Sequence, residues 1–274
     1  MYSSQTLRFH TMPVYCLLLT SVIFSSFAIA STNLDEIITA KHRADANIIR
    51  NQARHPQQTL NFFGIEPSQT VLEVWPGGGW YTEILAPYLK DTGKLYLAHF
   101  SPKHELPFYQ SSLTSFKDKL SAHPLIYDRT ILTALHPSVN EIRPAPENSV
   151  DLVLTFRNVH NWTKAGFDQK MFDAFYTVTK PGGMLGVVEH RAAPGTSIED
   201  MIKSGYMTES YVQALAQSSG FILVKKSEIN ANPKDTKNHP NGVWSLPPSL
   251  RGGEEAKYRA IGESDRMTLL FKKP

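Results

Sequence analysis

The run Val71-Leu72-Glu73-Val74 passes directly into Trp75-Pro76-Gly77-Gly78-Gly79 and then into Trp80-Tyr81-Thr82. A β-rich segment, a glycine turn and a helix start therefore follow one another without a linker. Glycines let a backbone adopt positive φ and approach a ligand closely, and a strand-to-helix turn of this type suits a sheet whose strands alternate with helices. The alternation continues along the chain. Strand patterns cover residues 94–100, 125–127, 150–156, 184–189, 221–224 and 267–271, and helix patterns cover 80–89, 108–120 and 167–178. Pro87 predicts a kink or early end in the first of these helices. Thr208 predicts the cap of a further helix that Gly220 closes. Upstream, residues 34–52 read as one amphipathic helix capped by Asn33. Residues 230–264 break the rhythm. They are rich in Pro, Gly, Asn and charge yet contain Gly242-Val243-Trp244 and Leu246-Pro247-Pro248, the composition of a lid or binding insert rather than a solvated linker.

The first thirty residues differ from the rest. Arg8 is the only Lys or Arg before Lys41, an apolar run follows from Val14, and Ala28-Ile29-Ala30 supplies a small-x-small site. This is the layout of a secretory signal, with cleavage expected after Ala30 and a periplasmic or secreted location. Thr20, Ser21, Ser25 and Ser26 interrupt the apolar run, which argues against a retained membrane span. The single cysteine, Cys16, lies inside it, so the exported chain relies on its core and not on disulfides. At 274 residues with 41% hydrophobic and 19% charged residues the chain is no disordered polymer, and a net charge of +3 without a basic stripe does not point to nucleic acid.

Glu73 before the glycine turn, the run Asp151-Leu152-Val153-Leu154 and the turn Lys180-Pro181-Gly182-Gly183 occur in an order that resembles the class I S-adenosylmethionine-dependent methyltransferases. The Trp-Pro-Gly-Gly-Gly-Trp turn with Asn158-Val159-His160-Asn161-Trp162 looks most like a bacterial group of exported methyltransferases. The resemblance spans roughly residues 59–274. It implies an α/β, Rossmann-like fold with a mostly parallel seven-stranded sheet and an antiparallel last strand, a helical extension at 31–66 and the insert at 230–264. It also implies S-adenosylmethionine as cofactor and a small-molecule or lipid-like acceptor. By family position Glu73, Gly77 and Gly79 would line the methionine end of the cofactor, with Pro76 and Gly78 in the intervening turn, and Asn158 could orient the cofactor or a substrate without charge. Two positions depart from the pattern. Trp75 stands where the family has its first glycine, and a residue before proline is expected to be extended. His99 stands where an acid accepts from the ribose hydroxyls, and an imidazole offers at most one acceptor, so it either makes one ribose contact or is a strand-end histidine with a local hydrogen bond.

In such a sheet the ends of the fourth and fifth strands face the crevice beside the first. They carry Asn158, His160 and Asn161, and Glu189 and His190. Methyl transfer to a protonated oxygen or nitrogen calls for orientation and a base; His160 is the leading candidate, with Asn161, Glu189 and His190 beside it. The alternative reading is a hydrogen-bonded frame between strand ends. His160, Glu189 and His190 are also of ligand type for zinc, but no paired-histidine helix motif accompanies them, and no metal is expected. A binding protein of the same fold without catalysis and a metal-dependent hydrolase are the competing functions.

Overall fold

The computed structural model describes residues 1–4 and 33–274; the signal-peptide reading falls almost wholly outside them. Seven strands form one sheet: β1 (Thr70–Val74), β2 (Lys94–His99), β3 (Thr130–Ala134), β4 (Val150–Phe156), β5 (Thr179–His190), β6 (Ile222–Ser227) and β7 (Arg266–Lys272). Their order is β3-β2-β1-β4-β5-β7-β6, with β7 antiparallel to both neighbours and the other pairs parallel. This is the expected seven-stranded Rossmann-like methyltransferase sheet. The chain order reverses between β1 and β4, which opens a crevice at their carboxyl ends.

Side-chain alternation along β1 divides the core. Leu72 and Val74 pack with Met171, Phe172 and Phe175 of the helix Asp168–Val178, while Val71 packs with Leu60, Phe63, Ile84 and Leu85 on the opposite face. The central strands are covered on both faces, as apolar parallel strands require.

Three elements differ from the sequence expectation. The single helix over 34–52 is three short helices, Leu34–Ile38, Asp45–Ile48 and Asn51–Arg54. No Pro or Gly causes the break. Arg43 turns inward to bond Ile38 O and Asn51 Oδ1 and to pair with Glu83, and His42 Nε2 donates to Glu83 O at 2.7 Å. These tertiary contacts outweigh helix propensity. Residues 125–127 lie not in a strand but in the helical turn Pro124–Tyr127, with Pro at its first position. The third strand is Thr130–Ala134, whose residues are mostly half-exposed. The cap at Thr208 is present, its Oγ1 accepting from Tyr211 N, and the helix Thr82–Leu89 ends two residues after Pro87.

The insert at 230–264 is folded onto the domain. Asn230 Nδ2 donates to Thr59 Oγ1 and Thr268 Oγ1, both at 3.0 Å. The Asp235 carboxylate accepts from Tyr206 OH, His239 Nε2 and Asp265 N. The insert contains the short 3₁₀ helix Gly242–Ser245 and the helix Glu255–Ile261. No helix among the described residues is long and apolar enough to cross a membrane.

Candidate functional site

A cavity of about 360 Å³ lies at the carboxyl ends of β1, β4 and β5. Its floor is Glu73 of β1 with Pro76, Gly77 and Gly78 from the turn that follows, and one wall is Arg157, Asn158, His160 and His190. Trp244, Pro247, Pro248 and Ser249 from the insert contribute to its lining, and Asn47, Arg50, Arg54 and Trp80 line the N-terminal side.

The glycine turn has open backbone where a ligand would need it. Gly77 has φ +58°, and a Cβ added at Gly77 or Gly78 would meet nothing within 4 Å. Lys119 Nζ steadies the turn from outside, donating to Gly78 O at 2.8 Å and Glu83 Oε1 at 2.6 Å. Glu73 lies beneath, 2% exposed, with Oε2 accepting from Thr82 Oγ1 at 2.6 Å. Burial raises its pKa to about 7 against the opposing effects of Thr82 and Lys119. Asn158 Nδ2 donates to Val74 O at 3.1 Å and more weakly to Trp75 O, closing the β1–β4 crevice from within. Gly79 does not face the cavity. A Cβ there would stand 3.0 Å from Phe116 Cε2, so its glycine serves packing.

Trp75 corrects the extended-backbone expectation. Its φ is +47°, the left-handed region a glycine would supply. The indole is 6% exposed; its Nε1 donates to Leu135 O at 2.7 Å, and the ring stacks on His136 and meets Phe100, Trp162 and Phe167 edge-on. That aromatic burial, together with the buried hydrogen bond, offsets a backbone cost of order 1–3 kcal/mol.

His99 corrects the ribose expectation. It is fully buried, its Nδ1 accepts from Phe100 N at 2.8 Å, and its Nε2–H donates to Gly77 O at 3.2 Å. Both ring nitrogens are thus used in holding the turn. Burial lowers its pKa to about 4, so the ring stays neutral.

At the other strand ends, His160 Nδ1 lies 3.0 Å from Glu189 Oε1, while the other Glu189 oxygen accepts from Val159 N at 2.5 Å. Glu189 Oε1 also accepts from His190 N at 2.8 Å. The carboxylate orients His160 from behind and leaves its Nε2 for the cavity. His190 Nδ1 meets Ser264 Oγ at 2.5 Å. Burial, then His160 and the arginines 157, 266 and 54, hold the His190 pKa well below the usual histidine range. Asn161 is exposed on the helix Val159–Ala165 and is not part of the cavity, contrary to its place among the catalytic candidates. Ligand-type atoms of His160, Glu189 and His190 lie within 4.8 Å of one another. The Glu189 oxygens are already engaged, and the neighbouring guanidinium groups oppose a divalent cation, so the trio is better suited to proton handling than to metal.

Sequence reasoning did not single out Arg50, Arg157, Glu263, Ser264 or Arg266. Arg157 had one local signal, its position immediately after β4. Glu263 and Ser264 sit at the end of a long irregular insert and had none.

No family model matches the chain. A ubiquinone/menaquinone biosynthesis C-methyltransferase UbiE of Hydrogenovibrio crunogenus is 31% identical over 138 residues, 48% of this chain and 46% of the relative. The chain therefore matches about half the length of that curated relative. Among solved structures, a SAM-dependent methyltransferase from Aquifex aeolicus superposes with a TM-score of 0.56 at 16% identity, covering 88% of this chain and 99% of that one. The [4+2]-cyclase SpnF superposes with a TM-score of 0.58 at 14% identity, covering 86% of each chain. The sheet order, the antiparallel β7 and these likenesses together give the chain the Rossmann-like fold of the class I S-adenosylmethionine-dependent methyltransferases.

Proposed function

We propose that the chain is an S-adenosylmethionine-dependent methyltransferase, exported by its first thirty residues to the periplasm or beyond, that acts on a small-molecule or lipid-like acceptor. One observation carries this reading: a glycine turn with open backbone at Gly77 and Gly78 borders the same cavity as His160. The residues fit the methionine end of the cofactor, with Gly77 and Gly78 giving close approach and Glu73 and Asn158 offering polar groups. His99 takes no part, so the ribose must find another partner.

S-adenosylmethionine bound there supplies an electrophilic methyl group. His160 Nε2 accepts the acceptor's proton, and Glu189 holds the ring in the tautomer that leaves Nε2 free and stabilises the imidazolium that results. Trp244, Pro247 and Pro248 narrow the cavity and limit water. His190, kept neutral, offers a second uncharged imidazole beside it.

A binding protein of the same fold without catalysis is favoured by one observation, the burial of His99 and of the Trp75 indole on the β2–β3 side of the turn. Calorimetric titration of the mature protein with S-adenosylmethionine and S-adenosylhomocysteine tests the donor and product binding that the methyltransferase reading requires. The methyltransferase reading expects saturable micromolar binding of both; heatless titrations with a folded protein contradict it.

A further inference from the structure

Four guanidinium groups converge beside the cavity around a single carboxylate. Arg50 Nε lies 2.7 Å from Glu263 Oε1; Arg54 Nε and Arg266 Nη1 lie 3.3 and 3.1 Å from Glu263 Oε2. The fourth, Arg157, lines the cavity, and among the described residues its side chain makes no hydrogen bond or ion pair. Arg50 Nη2 is buried without a partner. Arg157 also holds a left-handed backbone, φ +61°, a conformation that side chains rarely adopt without compensation. One carboxylate cannot neutralise four cations, and unpartnered guanidinium in a half-closed cavity is costly unless an anion joins it. Planar guanidinium forks match the oxygens of carboxylate and phosphate. The cluster is built from three separate parts of the chain: the N-terminal helices, the end of β4 and the junction of the insert with β7.

We infer that Arg50, Arg54 and Arg157, backed by Arg266 and Glu263, form an oxyanion subsite that recognises a phosphate or carboxylate group on the acceptor. The role as acceptor site rests on the methyltransferase reading; anion binding itself does not. The subsite borders the same cavity as His160 and His190, so an acceptor anchored by its acidic group would present its remaining atoms to the imidazoles. Excess positive charge over Glu263 favours a doubly charged group, which places phosphate ahead of a lone carboxylate.

The test is calorimetric titration of the mature protein, first without donor, with inorganic phosphate and with acetate as probes. Saturable binding is expected, with phosphate at least tenfold tighter than acetate. Acetate binding as tightly, at the same residues, would still support the subsite but assign it to a carboxylate. Arg157→Gln should weaken phosphate binding at least tenfold and Arg157→Lys less, with circular dichroism showing retained fold. Arg50→Gln gives a second reading if Arg157→Gln does not fold. Lys257→Gln, on the exposed helix Glu255–Ile261, should leave the Kd unchanged. Unsaturable binding of both probes, or affinity indifferent to Arg157 and Arg50, overturns the subsite. A repeat with S-adenosylhomocysteine present separates sources: unchanged phosphate affinity supports an acceptor site, whereas displacement assigns the cluster to the donor's own carboxylate and overturns the acceptor role. Phosphate binding with no donor binding sinks the methyltransferase reading and leaves the subsite standing.

Discussion

Burial holds the Glu73 carboxyl at about 7 in the folded protein against an ordinary value of 4.5. The unfolded chain therefore releases that proton first, and the native state loses stability as pH rises from 4.5 through 7. Glu73→Gln keeps the bond from Thr82 and removes the ionisation, so it should stabilise the protein at pH 8 by about 3 kcal/mol. The gain should vanish below pH 4.5, which urea unfolding at the two pH values reads directly. A gain over the native protein no larger at pH 8 than at pH 4 contradicts the buried-carboxyl account. His99 behaves oppositely. Its pKa is lowered to about 4 by burial, so its contribution is complete above 6.5 and is lost as pH falls through that range. Nitrogen NMR should find a neutral Nε2–H tautomer at pH 6; an imidazolium signal there would contradict it. At this scale the sequence named Glu73, Asn158, His160 and His190 as pocket residues, because each stands at or just beyond the carboxyl end of a strand in a mostly parallel sheet. It could not show that His99 turns to Gly77 O, since that depends on where the turn passes above β2.

The unit of β1, turn and helix shows the same division between pattern and packing. Its existence was legible from β-rich residues ending in three glycines, but the conformation of Trp75 was not. Local sterics before proline argue for extended backbone, and contacts with Leu135 O, His136 and Phe100 decide otherwise. Trp75→Gly should relieve the left-handed backbone yet empty a large aromatic site. A net loss of roughly 2–4 kcal/mol is expected, less than a core Trp truncation at a relaxed backbone position, and thermal unfolding measures it. Unchanged stability would mean that the indole contributes nothing to the core. The third strand was missed for a related reason. Thr130, Ile131 and Thr133 are β-branched, but a half-exposed strand beside β2 lacks the apolar density that marks β4.

Across the whole molecule, the ends of the chain are tied together by charge at the cavity. Arg50 and Arg54 near the start meet Glu263 and Arg266 near the finish, and Arg191 at the end of β5 pairs with Asp265, Glu209 and Glu228. Burial alone would raise Glu263, but Arg54, Arg266 and Arg50 together hold it at about 2. Its stabilisation is complete above 4.5 and is lost as pH falls towards 2, so Glu263→Gln should flatten the acid-unfolding limb across that interval; an unaltered limb would contradict the coupling. Such long-range pairing leaves no periodic trace, which is why the sheet was readable from the sequence and the arginine cluster was not. The central claim is that the open backbone of Gly77 and Gly78 cradles the donor. A crystal structure of the mature protein grown with saturating S-adenosylhomocysteine tests it most directly. The account predicts density for the amino-acid end of the ligand along the open backbone of Gly77 and Gly78, beside Asn158; a turn without ligand at saturation, with the cavity unchanged, would contradict it.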